Sequence, residues 1–142
     1  MGETGLSSFD ATVEKTNHIL HDIEQAYGWP KERRNQSYAA LRTVLHALRD
    51  RLTVEVSAQL AAQLPMLVRG IYYDGWDPSV VPIKMDREEF LARIRVEFPY
   101  SIDDGIPRLV DTVLLVLRRH ITEGEWDDVK STLPKDLAMA LP

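Results

Sequence analysis

The sequence predicts an all-α protein of about eight helices in one domain, and three observations support this prediction. Apolar residues recur at intervals of three and four residues through nearly all of the 142 residues, which is the spacing of one face of an α-helix. The segment SVVPI could be extended, but it is short and interrupted by a proline. The composition, with 44% hydrophobic and 27% charged residues, is typical of a globular domain.

Four helices are predicted in the first half of the chain. An apolar face within residues 9 to 27 defines the first helix, with Ser7 or Ser8 as its N-cap, and YGWPKERRN ends it. Thr53 is placed to cap the third helix, and Pro65 suits the first turn of the fourth. The second helix carries an apolar stripe on one face, formed by Tyr38, Leu41, Leu45, Leu48 and Leu52.

Four more helices are predicted in the second half. Asp86 and Glu89 form a capping box for a helix that Pro99 ends. Asp103 or Asp104 caps the next helix, whose stripe is formed by Val110, Leu114, Leu117 and Ile121. Thr122 and Glu125 form a second capping box, which begins the seventh helix. Pro134 begins a short terminal helix.

An internal repeat emerges when the chain is aligned with itself at an offset of 69 residues. Eight of the 29 positions from 41 to 69 are identical, where roughly two are expected from ordinary composition. The identities join residues 43–45 with 112–114, 48–49 with 117–118, Thr53 with Thr122, and 64–65 with 133–134. We therefore expect one domain, residues 1–142, in which two four-helix repeats (about 8–69 and 87–142) pack around a pseudo-two-fold axis.

Residues 70–86 have no counterpart in the repeat and are predicted to connect its two copies. The stretch LVRGIYYDGWD begins just before this connector and is rich in residue types that are favoured at binding hot spots. These residues are Arg69, Tyr72, Tyr73 and Trp76. If their side chains are exposed, they could bind a peptide, a ring-bearing ligand or a second subunit. If the side chains are buried, they would form a wedge between the repeats. We favour the wedge, with Gly70 breaking the preceding helix and Gly75 forming a turn.

Charge and composition exclude several classes of function. The net charge of −5 arises entirely in the second half of the chain, because residues 71–142 contain fourteen acidic residues and nine basic ones. Nucleic-acid binding is not expected, because it needs a concentrated basic surface. No apolar run is long enough to cross a membrane and no secretory signal is visible, so we expect a cytoplasmic protein. The absence of cysteine excludes disulfides and thiol chemistry.

No catalytic set, metal site or cofactor is predicted. His18 and His21 share one helix face, but no third ligand for a metal is identifiable. Neither a nucleophile motif nor a phosphate-binding glycine loop is present.

The second helix supplies the other binding candidates, which are Arg42, His46 and Arg49. His46 between arginines is expected either at a solvated boundary or in a groove. Arg49 and its repeat equivalent Arg118 lie in the last turns of their helices, where a cation is stabilised by the helix dipole. Alternatively, the two arginines face a shared groove and bind an anion.

Four strings resemble one protein family along nearly the whole chain. They are SYAALRTVLHALRDRL, AAQLPMLVRGIYYDGW, EEFLARI and HITEGEWDDVKSTLPKDL. In this order they resemble the bacterial family called domain of unknown function 2267. The resemblance implies an all-helical, cytosolic bacterial protein. It implies no activity and carries over no catalytic residues.

The function expected from these observations is that of a non-catalytic protein-binding module, with a protein partner or a second copy of the chain. The alternative is a small-ligand sensor or an enzyme that uses an Arg/His-lined cleft between the repeats. A protein partner is expected before a small ligand, and neither nucleic acid nor a membrane is expected as a partner.

Overall fold

A computed structural model describes residues 4–142, which form eight α-helices and no strand, so the predicted all-α class is confirmed. A single turn of 3-10 helix, Lys31–Arg33, precedes the second helix. In chain order the helices are α1 (Ser7–Tyr27), α2 (Arg34–Arg51), α3 (Val54–Ala62), α4 (Met66–Tyr73), α5 (Arg87–Glu97), α6 (Gly105–Arg118), α7 (Glu123–Thr132) and α8 (Lys135–Ala140).

Helix α2 lies at the centre of the fold and packs against α1, α4, α5 and α6. Its predicted stripe is buried from Leu41 to Leu52, whereas Tyr38 at its start is 40% exposed and does not belong to the core. The corresponding stripe of α6 is also buried, at Val110, Leu114, Leu117 and Ile121. The three- and four-residue spacing therefore identified two of the helix faces that build the core.

Helices of the first half pack against helices of the second. Helix α1 packs on α6, α5 packs on α2, α2 packs on α6, and α3 packs on α7. The last of these contacts is tied by a reciprocal pair, in which the Thr122 amide donates to Gln63 Oε1 (2.7 Å) and Gln63 Nε2 donates to Thr122 Oγ1 (3.2 Å). The pseudo-two-fold axis and the repeat boundaries stay predictions.

Three predicted caps are present at helix N-termini. Thr53 accepts a hydrogen bond from the Val56 amide, and Asp86 with Glu89 forms a complete capping box. Thr122 accepts from the Glu125 amide, but only that half of the predicted box forms, because the Thr122 amide is taken by Gln63.

Two other predicted caps differ from the structure. The residue before α1 is Leu6 and no side chain caps this helix, so the assignment of Ser7 or Ser8 was wrong. Asp104 does precede α6, but in the left-handed conformation (φ 64°) and without a capping hydrogen bond. Its carboxylate instead pairs with Arg108 one turn later at 3.0 Å.

The glycines around α4 play different parts from one another. Gly70 lies inside α4, so the prediction that it breaks the helix was wrong. The chain turns after Tyr73, where Gly75 has a φ of 80° that only glycine adopts readily. The Trp76 amide closes this turn by donating to the Tyr73 carbonyl at 2.9 Å.

Tyr72 packs within the first half of the chain. This differs from the prediction, which placed it in a wedge between the two halves. Its side chain is fully buried, and its hydroxyl forms a hydrogen bond with Ser57 Oγ of α3 at 2.7 Å. Helix α4, which carries it, packs mainly on α1, α2 and α3. Burial raises the pKa of Tyr72 well above its usual value, so the ring stays a neutral core residue.

Candidate functional site

A cleft of about 460 Å³ lies along one face of α2, between the C-terminal end of α4 and helix α5. We call it the α2 cleft. Tyr38, Arg42, His46 and Arg49 follow one another along α2 at intervals of three and four residues, so they share a face of that helix. The polar and charged residues that line the cleft are Tyr38, Arg42, Thr43, His46, Arg49, Asp50, Asp74, Arg93 and Glu97.

Arg49 fixes the end of α4 to α2. It is 5% exposed, and one guanidinium nitrogen donates to the carbonyl oxygens of Tyr72 (2.8 Å) and Asp74 (2.7 Å). These are carbonyls at the C-terminal end of α4, where a helix leaves its last acceptors unpaired and carries partial negative charge. Arg49 therefore compensates the dipole of a neighbouring helix.

Asp50 links the base of the cleft to α5. It is also 5% exposed; Oδ1 accepts from Arg49 Nε at 3.0 Å and Oδ2 accepts from the guanidinium of Arg93. The Asp50 carbonyl accepts from the Ile83 amide of the connector at 2.7 Å. A buried charge of this kind is tolerated because opposite charges and hydrogen bonds surround it.

His46 holds the same end of α4 from the next turn of α2. Its Nε2 lies 2.7 Å from the Ile71 carbonyl oxygen, and because a carbonyl can only accept, Nε2 carries the proton and Nδ1 is the free acceptor. Burial lowers the pKa of His46, and the positive charges of Arg49 and Arg42 lower it further. The ring is therefore neutral at pH 7.

Arg42 and Arg93 are the more accessible cations of the cleft. Arg42 donates to Asp74 Oδ2 at 2.9 Å, and its side chain is 36% exposed. The Arg93 side chain is also 36% exposed and uses one nitrogen for Asp50. A guanidinium has five N–H donors in a planar fork, so each of these arginines keeps donors for a further acceptor.

The structure brings together three of the predicted binding residues. Arg42, His46 and Arg49 all line the α2 cleft. The predicted symmetric pairing of Arg49 with Arg118 is not seen there, because Arg118 does not line this cleft.

The other predicted binding residues lie outside the α2 cleft, although Asp74 and Gly75 beside them form part of its wall. Arg69 caps the end of α3, donating to the carbonyls of Ala61 (3.0 Å) and Leu64 (3.1 Å). Tyr72 is fully buried and has no surface to offer a ligand. Tyr73 and Trp76 are half-buried and pack against each other, with ring centroids 5.2 Å apart.

Sequence reasoning missed Asp50, Arg93 and Glu97. Asp50 carried a usable signal, because an acidic residue in the last turn of a helix is disfavoured by the dipole and calls for a nearby cation. Arg93 and Glu97 are spaced by four residues on α5, which places them on one face but does not say which helix they meet.

The part of the chain that the structure describes contains neither a cluster of potential metal ligands nor a helix that could span a membrane. Within residues 4–142 no group of three or more potential ligands is placed to hold a metal, and His18 and His21 are exposed. None of the helices formed by these residues is both long and apolar enough to cross a bilayer.

Arg49→Met tests the role of the buried arginine. We expect it to lower the free energy of unfolding by about 3–5 kcal/mol, because it removes the donor for the buried Tyr72 carbonyl and the part-buried Asp74 carbonyl, and one cation beside the buried Asp50. The matched control is Arg118→Met at the equivalent position of α6, which is half-buried and makes no side-chain hydrogen bond among the described residues. Urea unfolding measures both. Equal losses in the two variants would contradict the role assigned to Arg49.

His46→Gln tests the lowered histidine pKa. The unfolded chain binds a proton at His46 more readily than the folded one, so the folded state loses stability as the pH falls below about 6.5. Glutamine keeps an N–H for the Ile71 carbonyl but cannot titrate. We expect the loss of stability between about pH 7.5 and about pH 5.5 to be smaller in the variant than in the wild type. Burial also lowers the pKa of His120, which is unchanged in both proteins and cancels; identical pH dependence would contradict the assignment.

Comparison with known proteins places the chain in a family but gives it no activity. No curated protein matches it. The model of one protein family matches residues 16–139, which is nearly the whole chain, and the resemblance drawn from its sequence strings is thereby confirmed. The chain belongs to the family of uncharacterized conserved proteins called DUF2267.

Proposed function

We propose that this protein acts by binding and not by catalysis, and that the α2 cleft takes a small anionic ligand. One observation carries the proposal: Arg42 and Arg93 reach the same cleft from two helices, each with unused donors and a side chain 36% exposed. Forked donors that reach one cleft from two helices are suited to a planar or tetrahedral anion. Ligand binding in an Arg/His-lined cleft, which was the alternative from the sequence, is thus favoured as the main function over binding of a protein partner.

The base of the cleft supports this proposal because it is rigid. Arg49 and Asp50 are buried and hold the end of α4, the connector and α5 in place. The exposed donors of Arg42 and Arg93 therefore stand on fixed elements. A site built on packed helices loses little entropy when a ligand binds.

The polar groups of the cleft support binding over catalysis. The hydroxyl of Thr43 donates to the Ala40 carbonyl of its own helix at 3.3 Å, and His46 Nε2 is held by the Ile71 carbonyl. Neither is paired with the other as a nucleophile and its base would be. The arginines and His46 offer hydrogen bonds and charge, which suffices for recognition.

Arg42→Gln and Arg93→Gln test the anion site. We expect at least one anion from a panel of acetate, benzoate, citrate, sulfate and phosphate to bind the wild type, and each variant to bind it about tenfold more weakly, since a charge-assisted hydrogen bond is lost. Arg95→Gln is the control, because Arg95 lies on α5, is exposed and does not line the cleft. Calorimetric titration gives the affinities. Absence of binding below about 10 mM, or equal loss in all three variants, would overturn the proposal.

A second proposal concerns association with another copy of the chain. Leu6 just before α1, and Phe9 and Val13 in its first two turns, follow the spacing of one helix face. Each is more than a third exposed, as are Met66 and Leu67 at the start of α4. The two sets adjoin, because the Leu67 amide donates to Thr12 Oγ1 at 2.8 Å. This α1–α4 apolar surface, residues 6, 9, 13, 66 and 67, is suited to an isologous pairing, the commonest symmetry of soluble oligomers.

The oligomeric state tests the second proposal. Sedimentation of the wild type at micromolar concentration is expected to give a dimer, and the Phe9→Ser, Leu67→Ser double variant a monomer, because polar hydroxyls replace the apolar contact. Val96→Ser is the control, since Val96 is 82% exposed on α5, outside the α1–α4 apolar surface. A monomeric wild type, or a dimer unaffected by the double variant, would contradict the proposal.

We also propose that the two halves are copies of one four-helix unit related by a pseudo-two-fold axis. The packing of α1 on α6 and of α5 on α2 supports this, since the two contacts exchange under the 69-residue offset. Contacts of α2 with α6 and of α3 with α7 each join equivalent helices, as contacts on a two-fold axis do. Superposition of residues 18–69 on 87–138 by a rotation far from about 180° would refute it.

A further inference from the structure

The carboxylate of Asp74 is held much more loosely than its backbone. The Asp74 amide donates to the Gly70 carbonyl at 3.0 Å, and the Asp74 carbonyl accepts from Arg49 at 2.7 Å. Among residues 4–142 the side chain makes one ion pair, with Arg42 at 2.9 Å, while remaining 66% exposed. The carboxylate can therefore rotate away from Arg42 while the backbone stays in place.

The pair between Asp74 and Arg42 is weak enough to be exchanged. Two partly exposed side chains of opposite charge gain little from pairing, because water screens the charges and the chains lose rotamer freedom. A ligand anion that also contacts Arg93 would replace one such contact with two. Asp74 thus competes with any anion that enters the α2 cleft, and the competition is mild.

The charges of the α2 cleft favour an anion with a single negative charge. Arg42, Arg49 and Arg93 are balanced by three acids, Asp50, Asp74 and Glu97, and His46 is neutral at pH 7. When Asp74 is displaced, one positive charge of the cleft is left without a partner. An anion that carries a single negative charge replaces the charge of Asp74 and restores the balance. A doubly charged phosphate adds repulsion against Asp50 and Glu97.

The cleft already contains one example of a carboxylate shared by two arginines. Asp50 accepts from Arg49 through Oδ1 and from Arg93 through Oδ2. Tyr38 lines the cleft and is 40% exposed, so an aromatic side chain is available to an apolar group attached to the acid.

Building on the proposed function, we propose that the α2 cleft binds a monocarboxylate that bridges Arg42 and Arg93, and that Asp74 occupies the same donors of Arg42 until the ligand displaces it. A small organic acid and the C-terminus of a protein chain present the same carboxylate. The class of ligand is therefore defined by this group.

Asp74→Asn tests the displacement, with benzoate as the probe. Removing the competing charge is expected to tighten benzoate binding about two- to fivefold, the range that corresponds to an exposed ion pair. Asp77→Asn is the matched control, because Asp77 is an exposed acid on the same connector whose carboxylate accepts hydrogen bonds from Ser79, and it should leave the affinity unchanged. Inorganic phosphate is expected to bind more weakly than benzoate to every form of the protein.

The source of the carboxylate is distinguished by two peptides of the same sequence, one with a free and one with an amidated C-terminus. Stronger binding of the free form than of benzoate identifies a protein chain as the source; equal or weaker binding identifies a small organic acid. The inference is overturned if Asp74→Asn behaves as Asp77→Asn does, or if phosphate binds more tightly than benzoate. If no anion binds the wild type at all, the proposed function itself fails.

Discussion

The buried ion pair of Arg49 and Asp50 at the end of α2 sets the geometry of the α2 cleft. The Arg49 side chain holds the end of α4, and its carbonyl accepts from Ser57 Oγ of α3 at 3.2 Å. The Asp50 side chain holds α5 through Arg93, and its carbonyl holds the connector at Ile83. Two adjacent residues thus fix three helices and a loop relative to α2. A buried ion pair often adds little net stability, so its effect here is to fix the geometry of the cleft.

The features predicted correctly from the sequence are those set by local spacing. The buried stripes of α2 and α6 follow from a period of 3.6 residues, and the caps at Thr53 and Asp86 follow from donors that lie three residues away. The α2 cleft could not be predicted in this way. Arg93 lies 43 residues from Asp50, and only the packing of α5 on α2 brings them together. The binding candidates on α2 were recognised because they are close to one another in the sequence, within a single helix. Their partners on α5 were not recognised, because they are distant in the sequence.

Arg49 shows how a correct principle can be assigned to the wrong partner. An arginine in the last turn of a helix suggests compensation of that helix's own dipole. In the fold, the carbonyls it contacts lie at the C-terminal end of α4, more than twenty residues downstream. The aromatic residues beside them illustrate the same limit, because Tyr72 was placed between the halves and instead bonds to Ser57 within the first. The sequence predicted dipole compensation by Arg49 and burial of Tyr72, but in both cases the partner depends on tertiary packing that a single helix pattern does not contain.

The 69-residue offset separates what the fold requires from what the cleft requires. Positions 43–45 and 48–49 are identical in the two halves, and Val44, Leu45 and Leu48 among them are core residues. Two residues that line the α2 cleft, Thr43 and Arg49, are among these identities, but three others differ: Arg42, His46 and Asp50 correspond to Asp111, Leu115 and Arg119. Leu115 is 49% exposed, and Arg119 pairs with Asp22 on α1 at 3.1 Å. The four-helix pattern is therefore compatible with either set of residues at these positions. The repeated pattern does not account for Arg42, His46 and Asp50 of the first half, and their position along one cleft is the strongest reason to look for a ligand there.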